Sequence, residues 1–233
     1  LDLIKKIILG VSMIIPIIIQ FIYRELDASF ISAGIISVVF GILFFLSNLD
    51  HDKKLNLPQA FLLTALSWIS IAIFGALPFI FSNLELTITD SFFESMSGIT
   101  TTGSTIMVNL DDAPKAILLW RAMLQWLGGV GIILMAITLM PIMNIGGMQL
   151  FKVSSNDTAE KILPKSKQIS IRLIIIYSAL TFLCAFFYKI FGMGFFDSLT
   201  HSMTTIATGG FSNYNESIGH FDSFLIEITS MIF

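Results

Sequence analysis

Charge is what this chain has little of. Of 233 residues 12% are charged and 55% hydrophobic, and the mean hydropathy is +0.86. A soluble domain carries about a quarter charged residues. The shortfall excludes an ordinary water-soluble fold and makes lipid the solvent. Cysteine is nearly absent: Cys184 stands alone in an apolar run, which excludes an internal disulfide framework. His51, His201 and His220 show no metal-ligand spacing with it. The apolar runs also lack period-2 alternation, so helices rather than barrel strands satisfy their backbones in lipid.

What is there is a series of apolar runs with few or no charges. Crossing a hydrocarbon core of ~30 Å takes about 20 helical residues. The runs give five spans, at 5–23, 28–48, 57–82, 115–140 and 168–191, and a sixth that begins near Asp222. Pro16 is expected to kink the first helix and Pro141 to close the fourth. With the N-terminus cytoplasmic, nine of the 13 basic residues fall inside, as the positive-inside rule favours. That topology makes 83–114 and 192–221 start and end on the outer side, so both are re-entrant or extracellular.

Those two segments repeat. "DSFFESMSGITTTGS" (90–104) lies over "DSLTHSMTTIATGGF" (197–211) at a constant offset of 107, with seven of 15 positions identical. An ordinary turn explains one threonine-glycine loop between apolar runs. Two aligned copies, with Asp, Met and Gly matching at one offset, point instead to a repeated unit of span, short helix, loop and span, with its site at the repeat interface.

The loop composition suits a dehydrated monovalent cation. Backbone carbonyls can replace a hydration shell, and glycine reaches the φ values that turn them inward. Short helices over about Thr89–Ser97 and Phe195–Thr204 would aim their negative ends at the ion. The candidate ion-binding residues are Thr100, Thr101, Thr102 and Gly103 in the first loop, and Ala207, Thr208, Gly209 and Gly210 in the second. Within that set the carbonyls of Thr101, Thr102, Thr208 and Gly209 are the expected K⁺ ligands.

The pattern span–"SGITTTGST"–span–"TTIATGGFSNYN" resembles the Trk/Ktr/HKT superfamily of potassium transporters, and "WRAMLQWLGGVGIILMAITLMP" (120–141) with "GGMQLF" (146–151) is similar to its bacterial TrkH branch. The resemblance implies an all-α membrane protein: two N-terminal transmembrane helices, then four helix–pore loop–helix units around a pseudo-fourfold pore. It centres each filter loop on one glycine, here Gly103 and Gly210. Some plant relatives with serine at the first of these favour Na⁺, so Gly103 suggests K⁺. On this pattern residues 1–52 are the extra helices, 53–145 the first unit, 146–167 a cytoplasmic linker and 168–233 a truncated second unit. The chain begins at Leu1 and stops inside a span, so a fragment of a protein about twice as long is expected. The implied function is K⁺ uptake by the pore-forming subunit of a Trk-type system in the cell inner membrane, with K⁺ as cargo and no covalent cofactor. The implied partners are a cytoplasmic nucleotide-binding regulatory subunit (TrkA-like) and a second pore subunit; no nucleic acid is expected.

Two other functions fit the residues less well. An alternating-access carrier with discontinuous helices would place its breaks inside spans, whereas these lie between outward-ending spans. A hydrolase using Asp197, Ser198 and His201 lacks the G-x-S-x-G elbow. Glu94 and His201, equivalent in the repeat, are expected to form hydrogen bonds behind the loops rather than bind ions. Arg121 is expected to snorkel at the outer interface, and Gly128, Gly129 and Gly131 to allow close backbone packing. Eleven acids, Glu25, Asp111 and Asp112 among them, fall on the outer side against four basic residues. Ordinary solvated loop residues account for that excess more simply than a cation-attracting vestibule.

Overall fold

A computed structural model describes residues 11–25, 27–46, 57–143 and 162–233. The expected linker 146–167 and the start of the first span lie mostly outside them. Among the described residues every regular element is helical: α1 (Ile14–Tyr23), α2 (Ser29–Leu46), α3 (Leu57–Phe81), α4 (Ile88–Ile99), α5 (Lys115–Met143), α6 (Ile162–Ile190), α7 (Phe195–Ile206) and α8 (Phe224–Ile232), with 3-10 turns at Leu110–Asp112 and Ser217–Phe221. Three helices, α3, α5 and α6, are long and apolar enough to cross a membrane. The described parts of α1 and α2 are shorter apolar helices.

Helix length separates two kinds of element. At about 1.5 Å per residue, the 29 residues of α5 and of α6 exceed the bilayer core, whereas the 12 of α4 and of α7 fall well short of it. Each short helix therefore follows a long one and leads into a loop. Both run two residues further than the sequence suggested, because their C-terminal caps recruit Thr100 and Ala207. Helix α5 continues past Pro141 to Met143, so that proline does not close it.

Burial identifies α5 as the central element. Of its apolar window 56% is buried, against 17% for α6, whose Ile175, Ile176, Phe182 and Phe186 face outward as lipid-facing residues do. Helix α5 packs on α1, α3, α4, α6 and α7. Two tryptophans fix its rotation: Trp120 Nε1 donates to the Gly75 carbonyl on α3 at 2.9 Å, and Trp126 Nε1 donates to Thr181 Oγ1 on α6 at 3.0 Å. Its amino end is capped from the α1–α2 turn, where the Glu25 carboxylate accepts from Lys115 N at 2.6 Å and Ala116 N at 3.2 Å. A carboxylate is the favoured partner for the unpaired N–H groups of a helix start. Glu25 is thus a cap, not a free vestibule charge.

The glycine pair of α5 seats the ends of both short helices. A Cβ on Gly128 would overlap the Ile99 carbonyl at the end of α4. One on Gly129 would meet the Tyr177 hydroxyl and lie 3.3 Å from Cα of Ala207, the cap of α7. Only hydrogen side chains let one helix backbone touch both.

Candidate functional site

The two short helices end in the same way. After α4, the N–H of Thr102 donates to Ser97 O and that of Thr101 to Gly98 O, both at 3.0 Å. After α7, Gly209 N donates to Thr204 O at 3.0 Å and Thr208 N to Thr205 O at 2.9 Å. Each pair is a Schellman closure, which requires a left-handed residue just past the cap. That residue is ordinarily glycine; here it is threonine twice, Thr101 at φ 57° and Thr208 at φ 53°. A β-branched residue held there costs about 1–3 kcal/mol, and such strain concentrates at functional sites.

Two residues on, Gly103 (φ 79°) and Gly210 (φ 76°) are left-handed as well. Thr100 (φ −83°, ψ 0°) and Ala207 (φ −75°, ψ −5°) are not, and neither are Thr102 and Gly209. Alternating handedness lines successive N–H groups along one side of a short run and leaves the carbonyls on the other. Neutral helix C-termini add their own negative ends. The arrangement offers oxygens and no formal charge.

Behind each loop a buried side chain takes the returning strand. In the first, Thr105 Oγ1 donates to the Glu94 carboxylate at 2.9 Å and accepts from Met107 N at 3.1 Å, while Ile106 N donates to Glu94 at 3.2 Å. In the second, His201 Nε2 lies 3.1 Å from Ser212 Oγ, which accepts from Tyr214 N at 3.1 Å. The His201 Nδ1 faces the Asp197 carbonyl at 2.9 Å. A carbonyl only accepts, so Nδ1 carries a proton; in the neutral ring, the form that burial favours, Nε2 accepts from Ser212. Both circuits use the same three positions at the offset of 107 seen in the sequence.

Arg121 is not at the interface. It is 1% exposed, and its Nε donates to Glu94 Oε1 at 2.7 Å. Its Nη1 donates to the Ser212 carbonyl at 2.8 Å, and the guanidinium stacks 4.1 Å above the Phe211 ring. The expected snorkelling is overturned because Glu94 offers a buried counter-charge on the protein-facing side. The reach from Glu94 to Ser212 lets one arginine join the support of the first loop to the return segment of the second.

The loops also meet directly. A Cβ on Gly103 would overlap the Gly209 carbonyl oxygen. Gln125, one turn after Arg121, lies against both glycines; its Oε1 accepts from Phe211 N at 3.1 Å. Further out, Asn215 Oδ1 accepts from Leu110 N at 3.1 Å and its amide donates to Asp111, tying the two return segments together. Asp197 accepts from Asn213 at 2.9 Å and from the Tyr214 hydroxyl at 3.2 Å. Burial and the Asp197 charge push that phenol up to about 12, so it donates rather than ionises.

Of the eight candidate residues, Thr102, Thr208 and Gly210 are exposed, Thr100, Thr101 and Gly103 half-buried, and Ala207 and Gly209 buried. The structure brings all eight to the adjoining ends of α4 and α7. Sequence reasoning missed Gln125 and the roles of Arg121, Glu25 and Asn215. The available signal was polarity itself: Arg121 and Gln125 sit four apart on an apolar helix, where polar groups usually face the bundle interior. Asp197, Ser198 and His201 form no nucleophile–base contact, since Ser198 Oγ donates to Phe195 O, while His201 donates from Nδ1 to the Asp197 backbone carbonyl and accepts at Nε2 from Ser212.

A family model described as "TrkH: Cation transport protein" matches residues 27–233. The Trk system potassium uptake protein TrkH of Escherichia coli K12 is 42% identical over 95% of this chain and 47% of its own length. TrkH of Vibrio parahaemolyticus is 37% identical over 96% of the chain and 47% of its own length. The crystal structure of the potassium transporter TrkH from V. parahaemolyticus superposes with a TM-score of 0.88 at 35% identity, covering 99% of this chain and 47% of that one. The chain spans about half the length of the curated relatives it matches.

Proposed function

The chain belongs to the TrkH family of cation transport proteins, and on that premise we propose that it forms half of the pore of a Trk-type potassium uptake subunit. Its relatives are named potassium uptake proteins, a transport and not an enzymatic role. In this reading K⁺ arrives hydrated from the outer side and exchanges water for backbone carbonyls of Thr100–Gly103 and Ala207–Gly210. The carbonyls of Thr101, Thr102, Thr208 and Gly209 are the principal ligands. Two further loops, from the length of the relatives that this chain does not cover, complete the ring.

The observation that carries the reading is the repeated backbone. Two loops are in contact, each alternates in handedness and each follows a helix too short to span; on this reading their backbone oxygens line a shared space without a carboxylate. Weakly charged, multi-oxygen lining suits an ion that must enter and also leave. The breaks lie at short helices between spans rather than within them, which supports a pore over an alternating-access carrier. On the same reading residues 1–52 are accessory helices, 53–145 the first unit, 146–167 a cytoplasmic linker and 168–233 the second unit. The N-terminus is cytoplasmic, the membrane is the inner membrane, and the assembly is a dimer bound to a nucleotide-binding regulatory subunit.

The test is serine substitution of each glycine in the full-length protein, with uptake of K⁺ and Na⁺ measured in cells lacking other K⁺ uptake. Gly103→Ser and Gly210→Ser are each expected to lower K⁺ preference. Wild-type selectivity in both overturns the assignment of these loops.

A further inference from the structure

Arg121 and Gln125 reach toward both loops from one face of α5, and nothing in the transport reading so far uses them together. Gln125 is fully buried, and so is Arg121 but for 1%. Arg121 joins the Glu94 circuit of the first loop to the Ser212 carbonyl and Phe211 ring of the second. Gln125 works one turn deeper. Its Oε1 holds Phe211 N at 3.1 Å, the residue directly after Gly210. Its amide lies so close to Gly209 that any Cβ there would overlap it, and its Nε2 comes 3.7 Å from where a Gly103 Cβ would stand. That contact explains why Gly209, although not left-handed, is glycine, while its exposed counterpart is Thr102. Gln125 Nε2 and Arg121 Nη2 are both buried donors with no hydrogen-bond partner among the described residues. Burying unpaired donors is costly, and each such group calls for an explanation.

We infer that Gln125, with Arg121 as a second rung, is the positioning residue that sets the separation of the two loops and thereby the ion preference of the site. The inference rests on the K⁺-uptake reading. Discrimination between K⁺ and Na⁺ depends on the number and placement of oxygens around the ion, and that placement is only as exact as the groups behind it. Neither side chain touches the ion. Gln125 acts through Phe211 N and the Gly209 backbone, and Arg121 acts through the Ser212 carbonyl.

The experiment compares Gln125→Leu with Gln125→Glu in the full-length protein, in cells lacking other K⁺ uptake, with K⁺ and Na⁺ uptake normalised to membrane-inserted protein. Leucine keeps the bulk and loses the acceptor for Phe211 N; glutamate keeps an acceptor. Gln125→Leu is expected to lower the K⁺/Na⁺ ratio about tenfold or more, the scale expected of a sub-ångström to 1 Å misplacement, with KM for K⁺ rising more than the maximal rate falls. Gln125→Glu is expected to restore most of the ratio. Arg121→Lys, which keeps the charge beside Glu94 but shortens the reach to Ser212, is expected to lower the ratio less. An unchanged ratio in Gln125→Leu overturns the inference, as do equal losses in the Leu and Glu variants. If the leucine variant does not reach the membrane, Arg121→Lys decides by the same ratio; if neither does, both residues serve folding and the inference falls. A wild-type protein without K⁺ preference overturns the uptake reading itself, an outcome visible before any variant is compared.

Discussion

The first and second loop units share a backbone and differ in what holds it. Their cap hydrogen bonds, left-handed threonines and left-handed glycines match position for position. Their supports do not. The first rests on a buried ion pair, Glu94 with Arg121; the second rests on a neutral histidine, a serine and a network through Asp197. Even the matched aspartates diverge. Asp90 closes a capping box with Thr87 at the start of α4, whereas Asp197 accepts from Asn213 and Tyr214 in the return segment. The difference teaches that the common feature is the run of peptide groups. Side chains behind it are free to vary as long as they satisfy the same three positions.

That contrast can be broken most forcefully at the equivalent pair. Glu94→Gln leaves the Arg121 charge buried without its partner, a change that costs about 3–5 kcal/mol. His201→Gln removes hydrogen bonds between neutral groups, worth about 0.5–1.5 kcal/mol each. Thermal denaturation of the detergent-solubilised full-length protein should therefore show a much larger loss for Glu94→Gln; equal losses would contradict the asymmetry. A smaller split is expected at the glycines. Both are left-handed, so alanine is strained at either by roughly 1–2 kcal/mol. Gly103→Ala must in addition displace the Gly209 carbonyl, while a Cβ on Gly210 would stand in open space. The same denaturation measurement should rank Gly103→Ala as the more destabilising.

The threonines sharpen the comparison from the other side. Thr101→Gly and Thr208→Gly release left-handed strain and are expected to raise stability by up to about 1 kcal/mol, equally in the two units, with a lower K⁺/Na⁺ uptake ratio. A stability loss in either would mean that the side chain is held for packing. The smallest effect is expected outermost. Asp112 is exposed, and Asp111 is tied to Asn215. Neutralising Asp112 alone should change low-salt K⁺ uptake by less than about twofold, as for a solvated charge screened within ~8–10 Å. A large drop would restore the idea of a cation-attracting vestibule.

Much of the frame was legible from the sequence. Apolar runs located α3, α5 and α6, and the offset of 107 between "DSFFESMSGITTTGS" and "DSLTHSMTTIATGGF" carried through to hydrogen bonds. The reason is that both signals are local: span length and a backbone cap are set by neighbours in the chain. What escaped was long-range. Gln125 and Phe211 are 86 residues apart, and Arg121 and Ser212 are 91 apart. The sequence places Arg121 along the axis of α5 but not around it, and the rotation set by Trp120 and Trp126 decides whether it meets lipid or Glu94. Glu25 was grouped with solvated acids for the same reason, since its partner is the start of a helix 90 residues away.

The central claim is that backbone oxygens of the two loops replace water around K⁺. It is tested most directly by crystallising the full-length protein with a heavier K⁺ congener such as Rb⁺ or Tl⁺ and locating its anomalous scattering. The account predicts ion peaks on the shared face of the loops, within coordinating distance of the carbonyls of Thr101, Thr102, Thr208 and Gly209. Peaks confined to carboxylates, or none between the loops, would contradict it.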